Sequence, residues 1–148
     1  MNILLLLEKS IGVIKMLKQF VIIPKKPKMS TGKIASQTAH ATFMALEKQK
    51  EEVKRLLTPT EDGLCSDYSE WNNINEWKET GMCVIVLQCP TQIELMNIAK
   101  YLEQWKIPHH LYIDEGMTEI PMGTATALAT GVLPEEKQWI LSQLKLFK

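Results

Sequence analysis

Short strand-like runs alternating with segments of helical period predict an α/β fold. The expected architecture is a three-layer α/β/α sandwich around a small, about four-stranded mixed sheet. The runs are Phe20–Ile23, Cys83–Leu87, Leu111–Ile113 and Ala125–Thr130. A chain of 148 residues with 45% hydrophobic composition is long enough for one domain with its own core, and it carries no internal repeat or low-complexity tract.

Residues 1–16 begin MNILLLLEKS, an apolar run with no preceding basic residue and with Glu8 breaking it. Even read on to Val13 and Ile14 the stretch is too short and too charged to span a bilayer. It reads as an N-terminal extension packed on the body, or as a mis-assigned start, with a single domain over 17–148. Phe20–Ile23, continuously apolar and β-branched, predicts a buried strand. Pro24 and Pro27 are expected to end it in an extended turn studded with Lys25, Lys26 and Lys28. From Lys33 to about Glu52 the pattern is helical, with Ile34, Thr38, Ala41, Ala45 and Leu46 as the apolar stripe.

Thr58 to Asn75 reads as irregular, with Pro59, Gly63 and the run CSDYSEWNNINEW. Trp71 and Trp77 are expected to anchor it to the body. Cys83–Leu87 predicts a second buried strand and Pro90–Trp105 an amphipathic helix. Thr91 is its expected N-cap, Glu94 completes a capping box, and Ile93, Met96, Ile98, Ala99 and Leu102 form its apolar side. Leu111–Ile113 runs as a third strand into Asp114, and Ala125–Thr130 is the fourth. Pro134–Leu144 is read as a closing helix with Pro134 in its first turn.

Formal net charge is zero, so no global field draws the chain onto nucleic acid. The charge is uneven, however. Lys15, Lys18, Lys25, Lys26, Lys28 and Lys33 crowd together, whereas Glu61, Asp62, Asp67, Glu70, Glu76 and Glu79 make a later segment acidic. A local basic face near the first helix suits phosphates. Cys65, Cys83 and Cys89 form no CxxC pair. An odd count without a secretion signal fits a reducing, intracellular setting. His40, His109 and His110 have no cysteine or carboxylate partners at ligand spacing, so no metal site is expected.

Two stretches carry the chemistry. In MSTGKIASQTAHA (29–41), Lys33, Gln37 and His40 recur at helical spacing and therefore neighbour one another. Ser30 and Thr31 stand where a hydroxyl caps the first turn, which places a polar surface at the positive end of a helix dipole. The second stretch, HLYIDEGMTEIPMGTATALATG (110–131), reads as a strand, an acidic turn, a short loop and another strand. The Gly-Lys pair lacks the spaced upstream glycine of a Walker loop, and no Ser-His-Asp nucleophile system is evident.

Together the two stretches resemble the second, archaeal and eukaryotic, type of peptidyl-tRNA hydrolase. The resemblance rests on Gly32, Lys33, Ile34, Ala35, Gln37 and His40, then on Asp114, Gly116, Thr118, Ile120, Gly123, Thr124 and Thr126. It covers roughly residues 17–148. It implies hydrolysis of the ester between a peptide and the 3′ ribose of tRNA, releasing free tRNA, with no cofactor and no metal. It also implies tRNA as partner, a cytoplasmic homodimer and no membrane association. Beside that family the connection over 58–77 looks like an insertion.

For the catalytic group the resemblance points to Lys33, Asp114, Thr118 and Gln37. Lys33 is assigned to hold the oxyanion or a terminal phosphate, and Asp114 to orient the water or pair with Lys33. Thr118 and Thr126 offer hydroxyls to the ribose or the ester, and Gln37 orients a neighbour. Substrate binding is assigned to Lys26, Lys28, Gly32, His40, Gly116, Thr124 and Thr126. His40, among Ala39, Ala41 and Thr42, is also expected to be a buried, hydrogen-bonded histidine. Thr124 and Thr126 alternate along a strand and are expected on one face.

Pro24-Lys25-Lys26-Pro27 stands where that family commonly shows Arg-x-Asp-Leu, and Ser30-Thr31-Gly32-Lys33 where Gly-Lys-Gly-Lys is usual. The changed turn and the tryptophan-bearing 58–77 segment motivate an alternative: a non-catalytic relative acting as an RNA-, nucleotide- or protein-binding module.

Overall fold

The computed structural model describes residues 16–57, 69–116 and 119–148. Its sheet is centred on β1 (Lys18–Lys26), whose Val21, Ile22 and Ile23 are fully buried. β2 (Val84–Thr91) lies parallel to it on one side, and β4 (Ala125–Leu133) antiparallel on the other. β3 (His109–Ile113) pairs antiparallel with β4, and β5 (Lys145–Leu146) antiparallel with β2, giving the order β3-β4-β1-β2-β5. The sheet is mixed as expected but has five strands, not about four. The added strand is two residues long, too short to show any periodicity.

Helices cover both faces. α1 (Thr31–Leu57) packs Ala41 and Ala45 on Val21, Ile23, Ala127 and Ala129. α3 (Gln92–Gln104) packs Leu95, Ala99 and Leu102 on Phe20, Ile22 and Leu128 of the opposite face. Alternation along β1 divides these two cores, with odd positions facing α1 and even ones facing α3. α2 (Ser69–Glu79) adds a smaller cluster in which Ile74 and Trp77 meet Leu17 and Val132. Among the described residues no helix is long and apolar enough to cross a membrane.

Several expectations are corrected. Pro24 does not end β1; it pairs with Cys89. The β1–β4 ladder reaches only to Ile22, so a missing N–H beyond that point costs no bond to β4. The 58–75 segment is not irregular throughout. Residues 58–68 lie outside those described, but a helix begins at Ser69, with Ile74 and Trp77 three apart on its buried side. Trp77 anchors as expected, its indole N–H donating to the Cys83 carbonyl at 2.9 Å.

Thr91 caps α3 by accepting from the Glu94 N–H. The stripe is Leu95, Ile98, Ala99 and Leu102, while Ile93 and Met96 are exposed. Cys83 is exposed and precedes β2, a half-buried strand that, among the described residues, is paired on its outer side only by the short β5. The closing helix is reduced to α4 (Glu135–Gln138) and a 3-10 turn at Trp139–Leu141, with Pro134 as N-cap residue.

β4 is buried over all nine residues and contains two irregularities that matter for the site. Tyr112 pairs with Ala127 but Ile113 pairs with Ala125, so Thr126 is an extra residue on β4. A second shift, between Gln19 and Val21 on β1, spends another extra residue near Gly131. Gln49 of α1 docks there, its amide donating to the Val132 carbonyl and accepting from the Val132 N–H.

Candidate active site

The first turn of α1 is capped as the sequence suggests. Ser30 Oγ accepts from the Lys33 N–H at 3.2 Å, and Ile34 N–H reaches the Ser30 carbonyl at 2.9 Å. This fixes the backbone from which Lys33 and, one turn on, Gln37 project toward the sheet. There they meet Asp114, the residue that follows β3. Lys33 Nζ lies 2.6 Å from Asp114 Oδ1, and both side chains are more than nine-tenths buried.

Gln37, itself buried, uses both hydrogens of its amide: one goes to Asp114 Oδ1 at 2.9 Å, the other to Thr126 Oγ1 at 2.7 Å. The Gly116 N–H donates to Asp114 Oδ2 at 2.7 Å. Gly116 sits at φ +74°, and a Cβ there would come within 2.5 Å of the Met122 backbone. Only glycine makes this tight return beneath the carboxylate. The Lys33 ammonium bonded to it holds the Asp114 carboxyl below the usual carboxylate range. Burial opposes that shift, and the Gly116 N–H and Gln37 amide reinforce it.

The bulge in β4 explains why Thr126 belongs to this cluster. Ala125 packs into the core on the α3 side, while Ala127 faces α1. The extra residue turns Thr126 toward α1 as well, directly under Gln37. Thr124 does not join it. It lies before β4, and its hydroxyl donates to the Pro121 carbonyl at 2.7 Å, so the two threonines do not share a role through strand alternation.

The remaining expected residues are scattered around this core. Gly32 is exposed on the first turn of α1, where a Cβ would meet open space. Lys26 ends β1 and Lys28 stands in the loop after it, both exposed. Thr118 lies outside the described residues. His40 is not buried: it is exposed, stacked on Tyr112 with ring centroids 4.9 Å apart, and 3.3 Å from Ser36 Oγ. Its small neighbours sit on other sides of the helix, so they say nothing about its own burial. Among the described residues no three His, Cys, Asp or Glu side chains converge as a metal ion would require.

Sequence reasoning missed Glu119. Its carboxylate accepts from both the N–H and the hydroxyl of Ser30, which hold its carboxyl below the usual range, the hydroxyl most strongly. A carboxylate therefore already stands at the N-terminus of α1. Nothing local signals a contact between residues 89 apart, although Glu119 lies within the 110–131 stretch that carries Asp114.

An ammonium and a low-pKa carboxylate are thus locked together by amides at the end of an α/β sheet, an arrangement chemically able to stabilise an oxyanion. The chain belongs to the peptidyl-tRNA hydrolase PTH2 family, whose profile matches residues 17–147. It is 37% identical over 120 residues to a peptidyl-tRNA hydrolase of Thermococcus onnurineus, spanning 80% of this chain and 86% of that one. It is 31% identical over 122 residues to the peptidyl-tRNA hydrolase of Methanopyrus kandleri, spanning 82% and 90%. A probable peptidyl-tRNA hydrolase 2 of Dictyostelium discoideum shares 28% over 131 residues, which is 88% of this chain and 54% of the relative. A solved structure of an Agrobacterium tumefaciens protein of unknown function superposes with a TM-score of 0.52. At 12% identity, over 89% of this chain and 98% of that one, it shows the fold alone.

Proposed function

We propose that the protein hydrolyses the ester joining a peptide to the 3′ ribose of tRNA, with Lys33 as the group that stabilises the developing oxyanion. The observation that carries this reading is the Lys33–Asp114 contact at 2.6 Å, held from beneath by Gln37 and Gly116. Such an ester is already activated, so attack by water needs orientation and charge stabilisation more than a protein nucleophile. Asp114 accepts three hydrogen bonds and has a lowered pKa, which makes it a poor base and a good anchor for the ammonium. Thr126, fully buried beneath Gln37, acts as a positioning residue.

The exposed Lys26 and Lys28 supply charge for the tRNA phosphates, and Gly32 leaves room for the acceptor end beside the helix terminus. His40 and Tyr112 offer a stacked ring pair beside the same helix. Thr118 is assigned to offer its hydroxyl to the ribose or the ester, whereas Thr124, its hydroxyl bonded to the Pro121 carbonyl, supports the turn ahead of β4. The working form is read as a homodimer in the cytoplasm, with residues 58–77 an insertion in a domain spanning 17–148.

Single-turnover hydrolysis of an N-blocked aminoacyl-tRNA tests the reading. Cleavage by wild type, lost in Lys33→Ala and Asp114→Ala, supports enzyme and site together. A folded protein that binds tRNA and leaves the ester intact selects the non-catalytic module instead.

A further inference from the structure

We propose that the outer edge of β3 receives the peptide part of the substrate as an added strand, an inference that rests on the ester-hydrolase reading above. Among the described residues β3 pairs only with β4, so its far edge carries ladder groups that no neighbouring strand uses. Backbone alternation says which they are. Asp114 directs both its N–H and its carbonyl toward the chain entering β4, bonding to Thr124 O at 2.8 Å and Gly123 N at 2.9 Å. Stepping back by twos, Tyr112 and His110 also face β4, which leaves Leu111 and Ile113 facing outward. His109 belongs to the outward set, and its carbonyl is met from that side by Lys48 Nζ at 3.3 Å.

Sheet edges are commonly blunted by charge, proline or brevity. The opposite edge follows that pattern, since β5 has two residues and one is Lys145. β3 contains no lysine, carboxylate or proline, and Ile113 is 45% exposed. This unblunted edge leads straight into the site, because Asp114 follows Ile113 in the chain.

A peptide whose C-terminal ester lies at Lys33 and Asp114 runs back along Leu111 in the same sense as β3, as a parallel strand. Its residue opposite Tyr112 donates to the Leu111 carbonyl and accepts from the Ile113 N–H. Lys48, on the His109 carbonyl, ends the track. A substrate class defined by its ester and not by its peptide sequence suits recognition through main-chain hydrogen bonds, which are indifferent to side chains.

The test compares hydrolysis of N-acetyl-aminoacyl-tRNA with that of peptidyl-tRNAs carrying progressively longer alanine-glycine peptides, each also made with single N-methylated amides. The expected kcat/KM rises about ten-fold as the peptide lengthens, the effect of one or two hydrogen bonds. The rise stops by the five-residue length of β3. N-methylation removes most of that gain at alternate amides and little at those between, the period of a paired strand. Rates independent of length, or N-methyl losses without alternation, in an enzyme that cleaves N-acetyl-aminoacyl-tRNA overturn the edge alone. Failure to cleave any of the substrates overturns the hydrolase reading and the edge with it.

Discussion

Lys33 and Asp114 meet at 2.6 Å although they lie 81 positions apart in the chain, and the ammonium supplies the countercharge that holds the buried carboxyl below its usual range. Removing either side chain strips the site of its oriented cation. Lys33→Ala and Asp114→Ala should each lower kcat/KM by about two orders of magnitude, the scale of losing one electrostatic contact to an oxyanion. Asp114→Asn should fall with them, because it keeps the shape and loses the charge. Single-turnover kinetics on peptidyl-tRNA reads this directly, and wild-type rates in Asp114→Asn would refute it.

Stability should carry the same signature in its pH dependence. The Asp114 carboxyl titrates lower when folded, under the pull of Lys33, than when unfolded. The unfolded chain therefore takes up this proton first as pH falls. The stabilisation is complete above the ordinary aspartate value of about 3.9 and drains away as pH drops through the folded value. Melting temperatures of wild type and Asp114→Asn should thus converge on acidification below about pH 4. A constant gap down to pH 2 would show that the charge is irrelevant.

Gln37 is expected to act through Asp114. Gln37→Leu removes the hydrogen bonds at 2.9 and 2.7 Å that tie Asp114 to Thr126. The Asp114 carboxyl should move up toward its ordinary value, followed by side-chain carboxyl NMR, and kcat should fall about ten-fold with KM little changed. A purely structural role would lower stability and leave the titration where it was.

Ser30 ties the helix start to Glu119. Ser30→Ala loses the cap on Lys33 N–H, which costs about 1 kcal/mol. For a domain of this size that lowers Tm by roughly 3 °C. Ser30→Asp should restore the cap yet set a carboxylate against Glu119, so calorimetry should find it no better than alanine.

Gly131 faces a different constraint. A Cβ there would lie 2.4 Å from Gln49 Oε1. That oxygen accepts the buried Val132 N–H. Gly131→Ala should destabilise by about 1–3 kcal/mol in denaturant titrations, as overpacking does. Adding Gln49→Ala should give a cost smaller than the sum of the two single changes.

What was legible in the sequence was local. Phe20–Ile23 and Leu111–Ile113 announced their strands because apolar, β-branched and aromatic residues stand in unbroken runs. Ser30 announced a helix cap because its hydroxyl bonds only three residues ahead. Lys33, Gln37 and Asp114 were legible through paired motifs. What stayed hidden depends on contacts far apart in the chain. Glu119 has no nearby pattern to betray its bond to Ser30. Gln37 and Gln49 occupy core positions of α1 because β4 presents polar partners there, which a hydrophobic stripe cannot anticipate. The bulge at Thr126 is invisible for the same reason: it exists only relative to the register of β3.

That bulge makes the site depend on counting as well as on chemistry. Thr126 faces Gln37 because one surplus residue sits opposite Ile113, so the interval from Asp114 to Thr126 works as a ruler. Deleting Ala125 alone would restore plain alternation and swing the Thr126 hydroxyl toward α3, with Lys33, Gln37, Asp114 and Thr126 all still present. The site can therefore vary by substitution much more readily than by any change in length.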